Sequence, residues 1–189
     1  ITHLSEWAKR KPQAPFFCVQ GDKQSIEYSY RRAHIAAAAL ARELERYGMT
    51  ANGTLACTMY NGTELVLLSL AAAYGGYTLA LLNPRLSADE RQLRLVELEN
   101  ATGEHGMDVL TNQMVNRLLI DATGFDATGF GLLPDDAAVL TRLQVELEQT
   151  VQRYKERFDG NNAGLVMFTS GSSGTPKAAF LTWNSLMGS

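Results

Sequence analysis

Cysteine is scarce in this chain of 189 residues: Cys18 and Cys57 stand alone and far apart. Two isolated thiols offer neither a disulfide framework nor a zinc site, and both are expected to be buried free thiols. Histidine is almost as rare. His3, His34 and His105 lack metal-ligand spacing, and His34 falls in an alanine-rich helix as a packing or surface side chain. No basic run is present and the net charge is -3, which excludes a nucleic-acid-binding surface. Nothing resembles a signal peptide, so the formal glycosylation acceptors Asn52-Gly53-Thr54 and Asn61-Gly62-Thr63 carry no weight and a cytoplasmic setting is expected.

One uncharged stretch reaches the lower length limit of a membrane span: Leu65 to Leu82. Gly75-Gly76 divides it. Leu65 to Tyr74 reads as a buried helix capped by glycine, and Tyr77 to Leu82 as a short buried strand. The chain is therefore not expected to span a membrane.

What is present is the rhythm of an α/β domain. Hydrophobic residues make up 46% and charged residues 20%, close to globular averages. Ala33, Ala37, Leu40, Leu44 and Tyr47 recur at helical spacing, with Gly48 placed to end that helix. Thr54 to Tyr60 is strand-like, and Asn61-Gly62 turns into a helix starting at Thr63. Asn83-Pro84 ends the next strand. Ser87 and Glu90 form a capping box that opens a helix toward Asn100, and Met107 to Leu110 can add a short strand. Alternating helices and strands predict a layered sheet with flanking helices and right-handed crossovers. Asp135 to Phe158 carries Val139, Leu143, Leu147, Val151, Tyr154 and Phe158 in an amphipathic pattern that suits a sheet face or a partner surface, its mixed Glu and Arg face arguing against a membrane. Asp121-Ala-Thr-Gly-Phe125 is repeated as Asp126-Ala-Thr-Gly-Phe130, which reads as a pair of glycine turns. Two aspartates five apart make a poor cation cage, and no metal-ligating residue is expected.

The most informative run is Thr169-Ser170-Gly171-Ser172-Ser173-Gly174-Thr175-Pro176-Lys177, which follows an apolar strand from Ala163 to Phe168. Glycines let backbone N–H groups turn toward an anion, hydroxyls donate to phosphate oxygens, and the lysine adds a positive point charge. A Walker A loop requires glycine where Pro176 stands and a hydroxyl where Ala178 stands. A dinucleotide fingerprint requires glycine at Ser173, and a nucleophile elbow requires its glycines four apart.

This run resembles the phosphate-binding signature of the adenylate-forming (AMP-binding) superfamily, which includes acyl-CoA synthetases, aryl-CoA ligases and adenylation domains. Thr169 to Gly174, Pro176 and Lys177 fill every defined place. Ile26-Glu27-Tyr28-Ser29-Tyr30 resembles an early helix-opening segment of that family. Leu70 to Tyr77, continuing to Asn83-Pro84-Arg85-Leu86-Ser87, resembles its leucine-alanine, glycine and Asn-Pro segment. Ala178 replaces a usual glycine, and Trp183 replaces a common histidine and is expected to pack in the core.

The resemblance implies that residues 1–189 are the N-terminal portion of the family's large nucleotide-binding domain. It implies an acid–thiol ligase that uses ATP with Mg2+ to turn a small carboxylic acid into an acyl-adenylate, with coenzyme A as the acceptor. Thr169, Ser170, Gly171, Ser172, Ser173, Gly174, Thr175 and Lys177 would hold the nucleotide phosphates, none of them as a nucleophile. The adenine and ribose contacts and the catalytic lysine of the family lie in later segments, so this stretch alone is not expected to turn over. Two other readings remain: a nucleotide-binding module without catalysis, and an amidase-signature hydrolase, whose Gly-Ser-Ser-Gly loop does not continue with Pro-Lys.

Overall fold

A computed structural model describes residues 2–20, 25–124, 136–170 and 176–187. The elements run α1 (Thr2–Arg10), β1 (Pro15–Gln20), β2 (Ser25–Ser29), α2 (Tyr30–Arg46), β3 (Thr54–Thr58), α3 (Thr63–Gly75), β4 (Thr78–Leu82) and α4 (Ala88–Thr102). They continue with β5 (Val109–Leu110), α5 (Asn112–Thr123), α6 (Ala137–Arg157), β6 (Ala163–Ser170), β7 (Pro176–Thr182) and α7 (Trp183–Met187). The α/β class is as expected. α1, the β1–β2 hairpin and α5 had no counterpart in the sequence reading.

Local chemistry sets the helix starts. The Ser29 side chain accepts from the Arg32 N–H, Thr111 from Met114, and Asp136 from Ala138 and Val139. At α4 the full capping box forms: Ser87 accepts from the Glu90 N–H, and the Glu90 carboxylate accepts from the Ser87 N–H. Each such cap is worth about 1 kcal/mol. The uncharged stretch divides at Gly76, whose φ of 70° closes α3 in the left-handed region, where glycine bears no Cβ penalty. No helix among the described residues is long and apolar enough to cross a membrane.

Five strands form the main sheet in the order β5-β3-β4-β6-β7. β5, β3, β4 and β6 are parallel, and β7 returns antiparallel to β6. The sheet is therefore mixed, because Pro176 and Lys177 open a strand where the sequence reading had a loop. Alternation along the strands sends Leu55, Cys57, Leu79 and Leu165 to one face and Ala56, Ala80 and Val166 to the other. The first face carries the large core with α2, α3, α5 and α6. The second is covered by α4 through Leu95 and Leu98. That division follows from topology. The chain moves one way along the sheet from β3 to β4 and the other way from β4 to β5. Keeping one hand of crossover then requires the two helices on opposite faces.

Three expectations are corrected. α6 buries Leu140, Leu143, Leu147, Val151 and Tyr154 against the helices α2 and α3, forming an outer layer rather than covering the sheet itself. Its apolar periodicity was legible, but one amphipathic face reads the same against a helix as against a sheet. Cys57 is buried, whereas Cys18 is exposed on the β1–β2 hairpin. The first Asp-Ala-Thr-Gly copy is the end of α5, with Gly124 as its left-handed cap and Asp121 paired to Arg117 at 3.3 Å. The second copy lies outside the described residues. Trp183 packs in the core as expected, its ring seated over Gly164.

Two predictions follow from this packing. A Cβ on Gly164 would stand 2.5 Å from the Trp183 ring. Gly164→Ala should therefore lower stability by about 1–3 kcal/mol in urea unfolding, with part of the loss recovered in the Gly164→Ala/Trp183→Leu double variant. Equal losses in the single and double variants would contradict the steric account.

His34 is buried in α2, and its Nδ1 lies 2.6 Å from the Tyr74 hydroxyl. Burial, with Lys155 and Lys9 nearby, lowers its pKa from 6.5 to about 4. Unfolded chains take up the proton near 6.5, and folded chains only near 4. Stability should be full above that window and fall as pH drops through it, by about 3 kcal/mol in all, levelling below it. Urea midpoints across this range should be flatter for His34→Gln. A wild-type slope retained in that variant would place the titration elsewhere.

Candidate functional site

The carboxyl ends of the parallel strands gather on one edge of the sheet. β3 ends there at Thr58, β4 at Leu82, and β6 runs past both to Ser170. The β6–β7 pairing fixes what stands at that edge. Ser170 pairs with Pro176 at the neck of the hairpin, and Thr169 pairs with Lys177 one step below. Directly paired residues of an antiparallel ladder share a face, so the Thr169 and Lys177 side chains project together. The Thr169 side chain also meets the Lys177 backbone: its Oγ1 donates to the Lys177 carbonyl at 3.4 Å. Val166 and Phe168 turn toward α4, so Thr169 and Lys177 lie on the opposite face, the one that carries α2 and α3. Both are exposed.

Of the residues expected to hold phosphate, the structure thus brings Thr169, Ser170 and Lys177 to one hairpin neck. Gly171, Ser172, Ser173, Gly174 and Thr175 lie outside the described residues.

Beside this hairpin is a crevice of about 250 Å³ between the ends of β3 and β4. Cys57, Met59, Leu65, Leu81 and Pro84 give it an apolar wall, and Asn61 and Asn83 add amides. Its position has a topological cause. β3 leads to α3 on one face of the sheet, and its neighbour β4 leads to α4 on the other. The two departing chains separate and leave a gap, which is where open α/β sheets take ligands. Sequence reasoning did not place this crevice, since the parting of adjacent strands depends on strand order.

Arg85 stands on the same edge, just beyond β4. Its backbone N–H donates to the Asn83 side chain at 2.9 Å. Its guanidinium has no partner among the described residues, so a second cation joins Lys177 at the strand ends. The Asn-Pro-Arg spelling held that signal. Cys57 in the crevice is not a nucleophile: burial pushes its thiol up to about 12, far from the thiolate form. The edge is suited to receiving an anion next to an apolar group, with hydroxyls and cations but no activated nucleophile among the described residues.

Known proteins share the fold. A family profile described as AMP-binding enzyme matches residues 4–189. Surfactin synthase subunit 3 of Bacillus subtilis is 26% identical over 189 residues, covering 98% of this chain and 13% of that protein. The N-terminal subdomain of NpsA from Klebsiella oxytoca has the same fold, with a TM-score of 0.64 and 17% identity over 96% of this chain and 42% of that one. O-succinylbenzoate coenzyme A synthetase (MenE) from Bacillus subtilis, in complex with ATP and magnesium ion, gives a TM-score of 0.62 at 17% identity, covering 96% and 43%. The chain thus spans 13% of that sequence relative and less than half of either structural neighbour. The profile covers nearly every residue, and the sheet has the fold of these neighbours: the chain belongs to the AMP-binding enzyme family.

Proposed function

We propose that this chain is the phosphate-binding part of a ligase that activates a carboxylic acid with ATP. One observation carries the reading. The Thr-Ser-Gly-Ser-Ser-Gly-x-Pro-Lys run spans a hairpin whose neck stands at the carboxyl edge of a parallel sheet, with Lys177 held beside Thr169 by register. In the reaction a carboxylate oxygen attacks the α-phosphorus of ATP. The bond between the α-phosphorus and the bridging oxygen breaks, pyrophosphate leaves with that electron pair, and an acyl-adenylate remains. Magnesium accompanies the nucleotide as part of the substrate.

The chain's own contribution is electrostatic. Hydroxyls of Ser170, Ser172, Ser173 and Thr175, with the backbone N–H groups of Gly171 and Gly174, hold the β- and γ-phosphates, and the Thr169 hydroxyl joins them on leaving the Lys177 carbonyl. Lys177 offsets the charge that collects on the departing pyrophosphate. Donors fixed before the reaction stabilise such charge without reorganising. The acid is a small carboxylate. Structural neighbours bound to 3-hydroxybenzoyl and 3-hydroxyanthranilyl adenylate analogues support that class.

For the acceptor we propose the thiol of coenzyme A, in keeping with the coenzyme A synthetase neighbour. The match to a surfactin synthase subunit favours a second reading, in which the acyl-adenylate passes to another acceptor. The AMP-binding match leaves the amidase-signature alternative without support. A binding module without catalysis is the reading that the assay below separates.

The protein that carries residues 1–189 should exchange labelled pyrophosphate into ATP only when a suitable acid is present. Coenzyme A should then release AMP and form a thioester; exchange without thioester would select the second acceptor reading. Silence across a broad panel of fatty, aryl and amino acids would refute adenylation.

Lys177→Ala should slow exchange about ten- to hundredfold, the worth of one charge-assisted contact of roughly 1.5–3 kcal/mol. Ser185, which shares a 2.9 Å hydrogen bond with Thr182 beyond the hairpin, is the control. If Ser185→Ala slows exchange and Lys177→Ala does not, the phosphate site has been placed on the wrong end of β7.

A further inference from the structure

Behind the helix layer, away from the sheet edge, α1, α2 and α6 enclose a groove of about 700 Å³, within the range of pockets that hold small ligands. His34 reaches it from α2. Its Nδ1 meets the Tyr74 hydroxyl, and its Nε2 has no partner among the described residues. The tautomer follows from the tyrosine. Tyr74 is buried and His34 is its hydrogen-bond partner, so the phenolic proton must go to Nδ1 or remain unsatisfied. A neutral imidazole that accepts at Nδ1 carries its own proton on Nε2. The groove therefore has a fixed N–H donor on its floor.

The charged groups around that donor are unequal. Arg31 is held by Gln144 at 3.0 Å and Thr141 at 2.8 Å, and Arg153 by Glu45 at 2.7 Å. Glu156 accepts from Gln152 at 2.9 Å. Three charged groups of the groove remain without partners among the described residues: Lys9, Lys155 and Glu148. The charges acting on His34 are positive, with Lys155 and Lys9 foremost, and this disfavours its protonation. Val145 and Val151 supply an apolar wall.

We propose that this groove is a binding site for a small organic carboxylate, its oxygens on the His34 Nε2–H and the Lys9 and Lys155 ammonium groups and its apolar body against Val145 and Val151. The site is separate from the hairpin that holds phosphate in the proposed ligase reading, and does not depend on that reading. It joins three helices, so occupancy raises the stability of the helix layer by mass action.

The test uses the protein labelled with 15N-histidine and titrated with octanoate and with benzoate. Before any addition, His34 should show the pattern of a neutral ring protonated at Nε2. The opposite tautomer would overturn the donor assignment. Octanoate or benzoate should then shift the His34 resonances saturably and raise the thermal midpoint, whereas octanol and octylammonium should do neither. Lys9→Gln and Lys155→Gln lie toward the surface and leave the core intact. Each should weaken binding about tenfold, the cost of one charge-assisted contact. His34→Phe should abolish the ligand-dependent rise in midpoint. Unchanged affinity in both lysine variants, or a response to inorganic phosphate that octanoate does not produce, would overturn the proposal.

Discussion

Helix α2 is surrounded by other helices, and its alanines permit that crowding. Ala33, Ala36, Ala37, Ala38, Ala39 and Ala41 are all fully or nearly fully buried, and α1, α3, α5 and α6 each pack on the helix. Interaxial distance between helices depends on the side chains at the contact, and small ones bring axes together. A larger residue at any of these positions would need space that close-packed interiors do not provide. The larger apolar residues are correspondingly few: Ile35, Leu40 and Leu44 extend from α2 into the main core. The sheet edge that carries the hairpin depends on this arrangement, because α3 and α6 lead directly into β4 and β6.

Some of the polar groups that the crowding buries are paired across helices. The Tyr77 hydroxyl donates to the Ala41 carbonyl at 3.3 Å, and the Arg157 guanidinium to the Gly75 carbonyl at 2.9 Å, tying α2 and α6 to the end of α3. Glu45 accepts from Tyr154 at 3.0 Å and pairs with Arg153 and Arg157 at 2.7 and 2.6 Å. Desolvation and the nearby Glu45 carboxylate push the Tyr154 hydroxyl well above the usual tyrosine range. Such a network gives modest net stability, since desolvation offsets much of the Coulomb gain. Its geometric consequence is larger: removing Glu45 would leave the buried Tyr154 hydroxyl without its acceptor.

Legibility in the sequence followed the range of the physics involved. The α4 capping box was readable because Ser87 and Glu90 are three residues apart and the bonds are local. The break at Gly75-Gly76 was readable for the same reason. The helical face of α6 could be read but its partner could not, because which layer an apolar stripe meets is decided by residues over a hundred positions away, such as Glu45 beneath Arg153. The hairpin at Pro176 was missed because proline followed by lysine reads as loop, yet proline is tolerated at the first residue of an edge strand. Thr169 and Lys177 were chosen by motif, and only the ladder puts them on the same face. The crevice between β3 and β4 required strand order, which motif spacing does not carry.

The hairpin's register sets a parity rule for its variation. Thr169 opposes Lys177 and Phe168 opposes Ala178, and these two pairs point to opposite faces of the sheet. Residues added between Ser170 and Pro176 would lengthen the connecting segment without turning either strand. One residue added or lost within β7 would instead rotate Lys177 onto the α4 side and bring Ala178 to the face where the lysine had been. For the face that Lys177 takes, strand length is thus a binary variable. A single codon gained or lost in frame within β7 would remove the charge from that face.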